Sequence, residues 1–230
     1  VATVRSARVR WAHAYRAINS RYPPIDVFER IADPDDWDAL LAIEQLTNPR
    51  VRQEWGEIAL VPADERVSGP GASWVMGAFT HIGRASRFTD GTYGVYYAAR
   101  ELETAIRETA YHFGRFLLAT HEPRGTEMEM RVLVSSRLDE RFHDVRRGHP
   151  ELHLADDYAP AQTFGRALRD AGSNGIVYGS VRDQGKPCLA VFRPKAMPLP
   201  RQGPHLRYHF DGARIDRFFQ FGRDTWMRLD

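Results

Sequence analysis

The chain predicts a mixed α+β domain built on a bent or split sheet, and three observations carry that reading. Met128, Met130, Val132 and Val134 alternate with Glu129, Arg131 and Leu133, the period of two expected of a strand with one buried face. From Glu101 the period becomes helical, with Leu102, Ala105, Ile106, Thr109, Phe113, Phe116 and Leu117 on one stripe. Strands and helices do not follow in strict βα order, which argues against a doubly wound parallel sheet.

Taken in order, Val9 to Ile18 reads as a first strand, ended by Asn19-Ser20-Arg21-Tyr22-Pro23-Pro24, where two prolines force an extended segment. Asp33-Pro34-Asp35-Asp36 is a helix start, with Asp33 as N-cap and proline at the first helical position. That helix should run to about Leu46, and a shorter one from Arg50 to Trp55 follows the stop at Asn48-Pro49. Trp74, Val75, Ala78 and Phe79 make a brief helical patch after Gly69-Pro70-Gly71.

Asp90-Gly91 is a turn dipeptide, and Val95-Tyr96-Tyr97-Ala98 is a short buried strand of β-branched and aromatic residues. Pro160 to Ala171 is a helix closed by Gly172, and Gly175 to Tyr178 and Cys188 to Phe192 are apolar strands. Asp211-Gly212 between Leu206–Phe210 and Ala213–Phe218 is the strongest short hairpin signal in the chain.

The sequence has 230 residues, enough for a single large domain over 1–230 with a substantial core. A formal charge of +2, with basic residues interleaved among acids, gives no argument for direct nucleic-acid binding. The single cysteine, Cys188, sits in an apolar run and reads as a core thiol; with no disulfide framework it fits a reducing, cytoplasmic setting. No apolar run approaches a membrane span, and no signal-peptide core is present, so no membrane association is expected.

The nine histidines are scattered, and Glu108 with His112 lacks a third ligand, so no metal is expected. Gly-x-Ser-x-Gly, the phosphate loop and the dinucleotide glycine fingerprint are all missing. What remains is a carboxylate, arginines, tyrosines and a loop serine. On the helical wheel Glu108 lies off the apolar stripe, on a flank shared with Glu101 and His112, so it can face a cleft. Arg87 precedes the strand that carries Tyr97, so Arg87, Tyr97 and Glu108 sit at the ends of consecutive elements. Each taken alone also fits an ordinary surface or strand residue. Arg16 and Arg21 flank the rigid proline turn and could present guanidinium groups to an anion. The set suits a phosphate-bearing substrate whose reacting centre becomes positively charged, as in cleavage of a nicotinamide–ribose bond.

Several ordered segments carry a resemblance to a known family. They are Tyr15-Arg16, Ser20-Arg21-Tyr22-Pro23-Pro24, Ser86-Arg87-Phe88, Val95-Tyr96-Tyr97-Ala98, Glu103 to Glu108, Ala161-Gln162, Gly175 to Arg182 and Cys188 to Pro194. Together they resemble the RES-domain proteins, toxins of bacterial Xre–RES toxin–antitoxin pairs. The arginine, glutamate and serine for which that family is named look like Arg87, Glu108 and Ser180.

The resemblance implies an ADP-ribosyltransferase-like split sheet flanked by helices, with a helical insertion at about 26–67. It implies NAD⁺ as substrate rather than cofactor, consumed by hydrolysis or phosphorolysis. The alternatives are mono-ADP-ribosylation of a protein acceptor and, from another class, a non-catalytic binding module.

By resemblance Arg87 holds the pyrophosphate or the nicotinamide ribose, Tyr97 stacks on the nicotinamide, and Glu108 binds ribose hydroxyls and stabilises the transition state. Ser180 lines the pocket, an N-terminal arginine grips phosphate, and Tyr22, Phe88 and Gln162 join the NAD⁺ set. Arg16 is favoured over Arg21 and Arg30 because it follows an aromatic at the end of the first strand. One departure stands out: the family's Gly-Gly-Arg-Trp-Asn is here Ala85-Ser86-Arg87-Phe88-Thr89. The implied partners are an antitoxin with a DNA-binding helical domain and, for turnover, inorganic phosphate or a protein acceptor. Trp37 on the insertion reads as core, with self-association into a homodimer or the antitoxin contact as the other readings.

Overall fold

The computed structural model describes residues 4–22 and 56–229, with Glu29, Trp37 and Ala39 between them. The helices expected over Asp33–Leu46 and Arg50–Trp55 therefore lie outside the described residues, apart from Trp37 and Ala39, which are helical.

The described elements are β1 (Ser6–Asn19), α1 (Ala72–Thr80), β2 (Tyr96–Ala99), α2 (Leu102–Ala119), β3 (Glu127–Asp144), α3 (Ala159–Asp170), β4 (Gly175–Gly179), β5 (Pro187–Val191), β6 (Arg201–Phe210), β7 (Ile215–Gln220) and β8 (Thr225–Arg228). The class is α+β, as the missing βα alternation predicts. No helix among the described residues is long and apolar enough to cross a membrane.

The sheet order is β1-β2-β5-β4-β3-β6-β7-β8, and a further pairing of β1 with β3 closes a ring of five strands. β3 explains the split. One edge pairs antiparallel with β1 from Ser6↔His143 to Asn19↔Met130. The other edge is shared: its first half, Glu127 to Val134, takes β6, and its last two residues, His143 and Asp144, take β4 in parallel. Between those pairings the sheet forks into two lobes joined along the β1–β3 ribbon.

Each lobe is covered by a helix. α2 lays Ile106, Ala110 and Leu117 on Met130, Val132, Leu206 and Tyr208, each large side chain contributing about 1.5–3 kcal/mol on burial. α1 closes the other lobe with Val75, Met76 and Phe79 against Tyr96, Leu138 and Phe142, and Trp37 is fully buried in the same cluster. This places Trp37 in the core. Glu29 accepts hydrogen bonds from Ser73 Oγ (2.7 Å) and from the backbone of Gly71 (3.2 Å), negative charge at the start of α1 where the helix dipole favours it. α3 packs on Phe88, Tyr178 and Ile176. It approaches so closely that a Cβ at Gly165 would stand 2.5 Å from the Phe88 carbonyl oxygen.

The Asp211-Gly212 signal is a hairpin, but with four connecting residues. Asp211 N–H donates to the Arg214 carbonyl (3.0 Å), Asp211 Oδ1 accepts the N–H groups of Ala213 and Arg214 (both 2.8 Å), and Gly212 takes a φ of 95°. The aspartate side chain organises the turn, so it opens wider than the two-residue form.

Candidate active site

The site begins with a pinned turn. Ser86 and Thr89 bond each other's backbones across Arg87 and Phe88, so the two central side chains leave in different directions. Phe88 is fully buried, its ring edge-on to Tyr178 at 5.1 Å. Three further bonds fix the turn: Phe88 N–H donates to Tyr97 Oη (2.9 Å), Gln162 Nε2 donates to the Ser86 carbonyl (2.9 Å), and the Tyr93 hydroxyl donates to the Phe88 carbonyl. Tyr97, from β2, also shares a 2.8 Å bond with Ser86 Oγ. Burial pushes its phenol up to about 12, so it stays neutral at physiological pH.

Arg87 is buried at 7% exposure, and among the described residues its charge is met by carbonyl oxygens and not by a paired carboxylate. Nη1 donates to Leu152 (3.1 Å) and Leu154 (2.9 Å), and the guanidinium lies 4.7 Å over the Tyr158 ring. The segment that follows β3 thus wraps round to hold a side chain from the loop before β2.

Glu108 reaches the same cavity from α2. Ser180, at the end of β4, accepts the N–H groups of Arg182 (3.1 Å) and Asp183 (2.9 Å), so its single proton goes to Glu108 Oε1 at 2.6 Å. Burial raises the Glu108 carboxyl above its ordinary value, opposed by Ser180, Arg87 and Arg182. His112, one turn on, is held down to about 4 by burial and by Arg182, Arg84, Arg87 and Arg115. It lines the cavity while remaining exposed, and it is neutral at pH 7.

Arg16, on β1, donates from Nη1 to the Tyr97 carbonyl (3.1 Å) and stacks on Tyr96 at 4.5 Å. Its buried Nε–H has no acceptor among the described residues, which leaves guanidinium hydrogen-bonding capacity unused in the cavity wall.

These residues enclose a cavity of about 370 Å³, within the range of small-molecule sites. Arg16, Ser86, Arg87, Tyr97 and Glu108 line it, with Tyr158, His112, Arg84, Tyr178 and Cys188. Cys188 is a core thiol, pushed well above its ordinary value by burial. Ser180 and Gln162 stand behind the wall, the one on Glu108 and the other on the Ser86 turn. Phe88 does not line the cavity, and its backbone N–H and carbonyl are already bonded to Tyr97 and Tyr93.

Arg21 and Tyr22 lie away from the lining. Both are exposed at the end of β1, and they bond each other, Arg21 Nη2 to Tyr22 Oη, at 2.7 Å. Arg30 lies outside the described residues. Sequence reasoning did not single out Tyr158 or Arg84, which sit in loops without period; for His112 the signal was its position four residues after Glu108 on the same helix flank.

The fold and cavity define an α+β protein in which a half-buried carboxylate shares a cavity wall with guanidinium and phenol groups. The RES domain family matches residues 63–211, which hold Arg87, Tyr97, Glu108 and Ser180. The chain belongs to the RES-domain family. It is 29% identical over 209 residues to the uncharacterized protein y4oC of Sinorhizobium fredii, covering 90% of this chain and 86% of that one. Among solved structures, the M. tuberculosis MbcT–MbcA toxin–antitoxin complex is similar at a TM-score of 0.43 and 10% identity, over 86% of this chain and 85% of that one.

Proposed function

We propose that this protein cleaves the nicotinamide–ribose bond of NAD⁺, acting as a toxin that an antitoxin restrains. The observation that carries the reading is Glu108 held by Ser180 on the wall of a cavity that Arg87, Tyr97 and Arg16 also line. In this site the chemistry needs a fixed negative charge beside a sugar carbon that becomes an oxocarbenium ion, and Glu108 supplies it. Because the Ser180 proton points at Oε1, that oxygen is the acceptor, and Oε2 is left for a ribose hydroxyl. Arg16 in the cavity wall, with Arg84 and Arg87 beside it, favours the diphosphate by charge. Tyr97, locked by Ser86 and Phe88, gives a rigid aromatic wall for the departing nicotinamide.

The antitoxin and the arrest of growth follow from the family resemblance. The ADP-ribosyl acceptor is water, phosphate or a protein.

The test is nicotinamide release from NAD⁺ by the purified protein, with and without phosphate, beside Glu108→Gln. Release should fall by about 10²–10³-fold in the variant, the usual cost of losing one transition-state electrostatic contact. Undiminished release by Glu108→Gln would overturn the assignment. Adenylate-labelled NAD⁺ separates the acceptors: label fixed on a protein band marks a transferase, and label in solution marks hydrolysis or phosphorolysis.

A further inference from the structure

Arg87 and Glu108 enter the cavity from different directions, and behind both stands one residue that does not line it. His153 ends a single 3-10 turn, Pro150–His153, after β3. Its Nδ1 is 2.8 Å from the His149 carbonyl oxygen, and its Nε2 is 3.2 Å from the backbone nitrogen of Gly179. A carbonyl can only accept and a backbone N–H can only donate. The two bonds therefore coexist in one form alone, the neutral ring with its proton on Nδ1.

The Gly179 N–H needs this partner. β3 ends at Asp144, and the last rung along that edge of β4 is the bond from Val145 N–H to the Val177 carbonyl. On the other edge Gly179 faces Pro187, and the next N–H, that of Ser180, turns toward Lys186. The Gly179 N–H therefore points where no strand remains, and the imidazole takes the place of the missing neighbour.

What hangs on either side of that bond is the site itself. Leu152 and Leu154, flanking His153, supply both carbonyls that hold Arg87 Nη1, and Gly179 precedes Ser180, which holds Glu108. We infer that His153 is a positioning residue: its Nδ1–H tautomer clamps the Arg87-holding turn to the end of β4 and so sets the spacing between the guanidinium and carboxylate sides of the cavity. For its consequence on catalysis the inference rests on the NAD⁺ reading above; the clamp itself does not.

Long-range nitrogen–proton NMR of the unliganded ¹⁵N-labelled protein reads the tautomer, with the His153 signals assigned by their loss in His153→Gln. Nδ1 should be protonated and Nε2 bare. The Arg87 Nε–H resonance, assigned through Arg87→Lys, should be sharp in the wild type and in His153→Gln, whose side-chain oxygen can still accept from Gly179, and broadened in His153→Leu. Nicotinamide release should fall at least about tenfold in His153→Leu and recover most of that loss in His153→Gln, since misplacing a catalytic group by ~1 Å costs up to ~10²-fold.

A proton on Nε2 in the wild type, or an Arg87 resonance unchanged in a folded His153→Leu, overturns the inference. If wild-type protein releases no nicotinamide, the NAD⁺ reading fails and the two NMR readouts decide the clamp alone. If His153→Leu does not fold, the tautomer and His153→Gln decide it.

Discussion

Ser180→Ala removes one oxygen and three hydrogen bonds from a site that is 3% exposed. The 2.6 Å bond to Glu108 is charge-assisted when the carboxyl is ionised, worth about 1.5–3 kcal/mol. The N–H groups of Arg182 and Asp183 lose their acceptor. The connection itself stays closed, because Ser180 N–H still reaches the Lys186 carbonyl and Gly185 N–H the Ser180 carbonyl. The net cost is therefore roughly 2–4 kcal/mol, or about 4–16 °C in the unfolding midpoint of a domain this size.

Ser180→Ala should also move Glu108 in a definite direction. Ser180 is the largest influence opposing burial, so its loss raises the carboxyl further. An acid whose folded value lies above its unfolded one loses stability as pH rises between the two, and the deficit persists above both. The variant's penalty should therefore be smallest in acid and largest at neutral pH. Circular-dichroism melts at several pH values give the stability, and ¹³C NMR of the Glu108 carboxyl gives the titration. A melt within about 1 °C of wild type, with the Glu108 midpoint unmoved, would refute the reasoning.

Arg87→Lys gives up the planar guanidinium that stacks on Tyr158 while its Nη1 serves both the Leu152 and Leu154 carbonyls; it should cost about 2–4 kcal/mol in urea unfolding. His112, held near 4 against an ordinary 6.5, should show no charge change by NMR between pH 8 and 6. Because the unfolded chain takes up the proton first, His112 should reduce stability as pH falls below 6.5, and Arg84→Ala should raise its midpoint; a midpoint near 6.5 in the intact protein would count against the guanidinium cluster. Gly165→Ala drives a methyl into the Phe88 carbonyl, so α3 must lift from the loop at a cost of about 1–3 kcal/mol by chemical denaturation. A neutral result there would mean that α3 does not press on the Arg87 turn.

The α2 stripe, the start of β3 and the Asp90-Gly91 turn were legible because each is local. A period of 3.6 from Leu102 to Leu117, a period of two from Met128 to Val134, and turn chemistry at Asp90-Gly91 fix backbone conformation over a few residues. The same local reading stopped short at β3, which runs on to Asp144, because Ser135, Ser136 and Arg137 break the apolar alternation. It passed over β8, whose four residues have no period and form a strand by pairing with β7. The resemblance placed Phe88 in the NAD⁺ set; which way the ring turns is decided by the Ser86–Thr89 bridge.

The sequence by itself determined most of the elements and the α+β class, and it singled out Arg87, Tyr97 and Glu108 as candidates, since these rest on periodicity, turn residues and segments that resemble a family. Only the tertiary structure decided how β3 divides one edge between β6 and β4, that carbonyls of the 150–154 segment cradle Arg87, and that Ser180 backs Glu108. The Arg87 and Glu108 contacts join residues 65 to 72 positions apart, and no local pattern encodes a meeting that exists only once separate cores have packed.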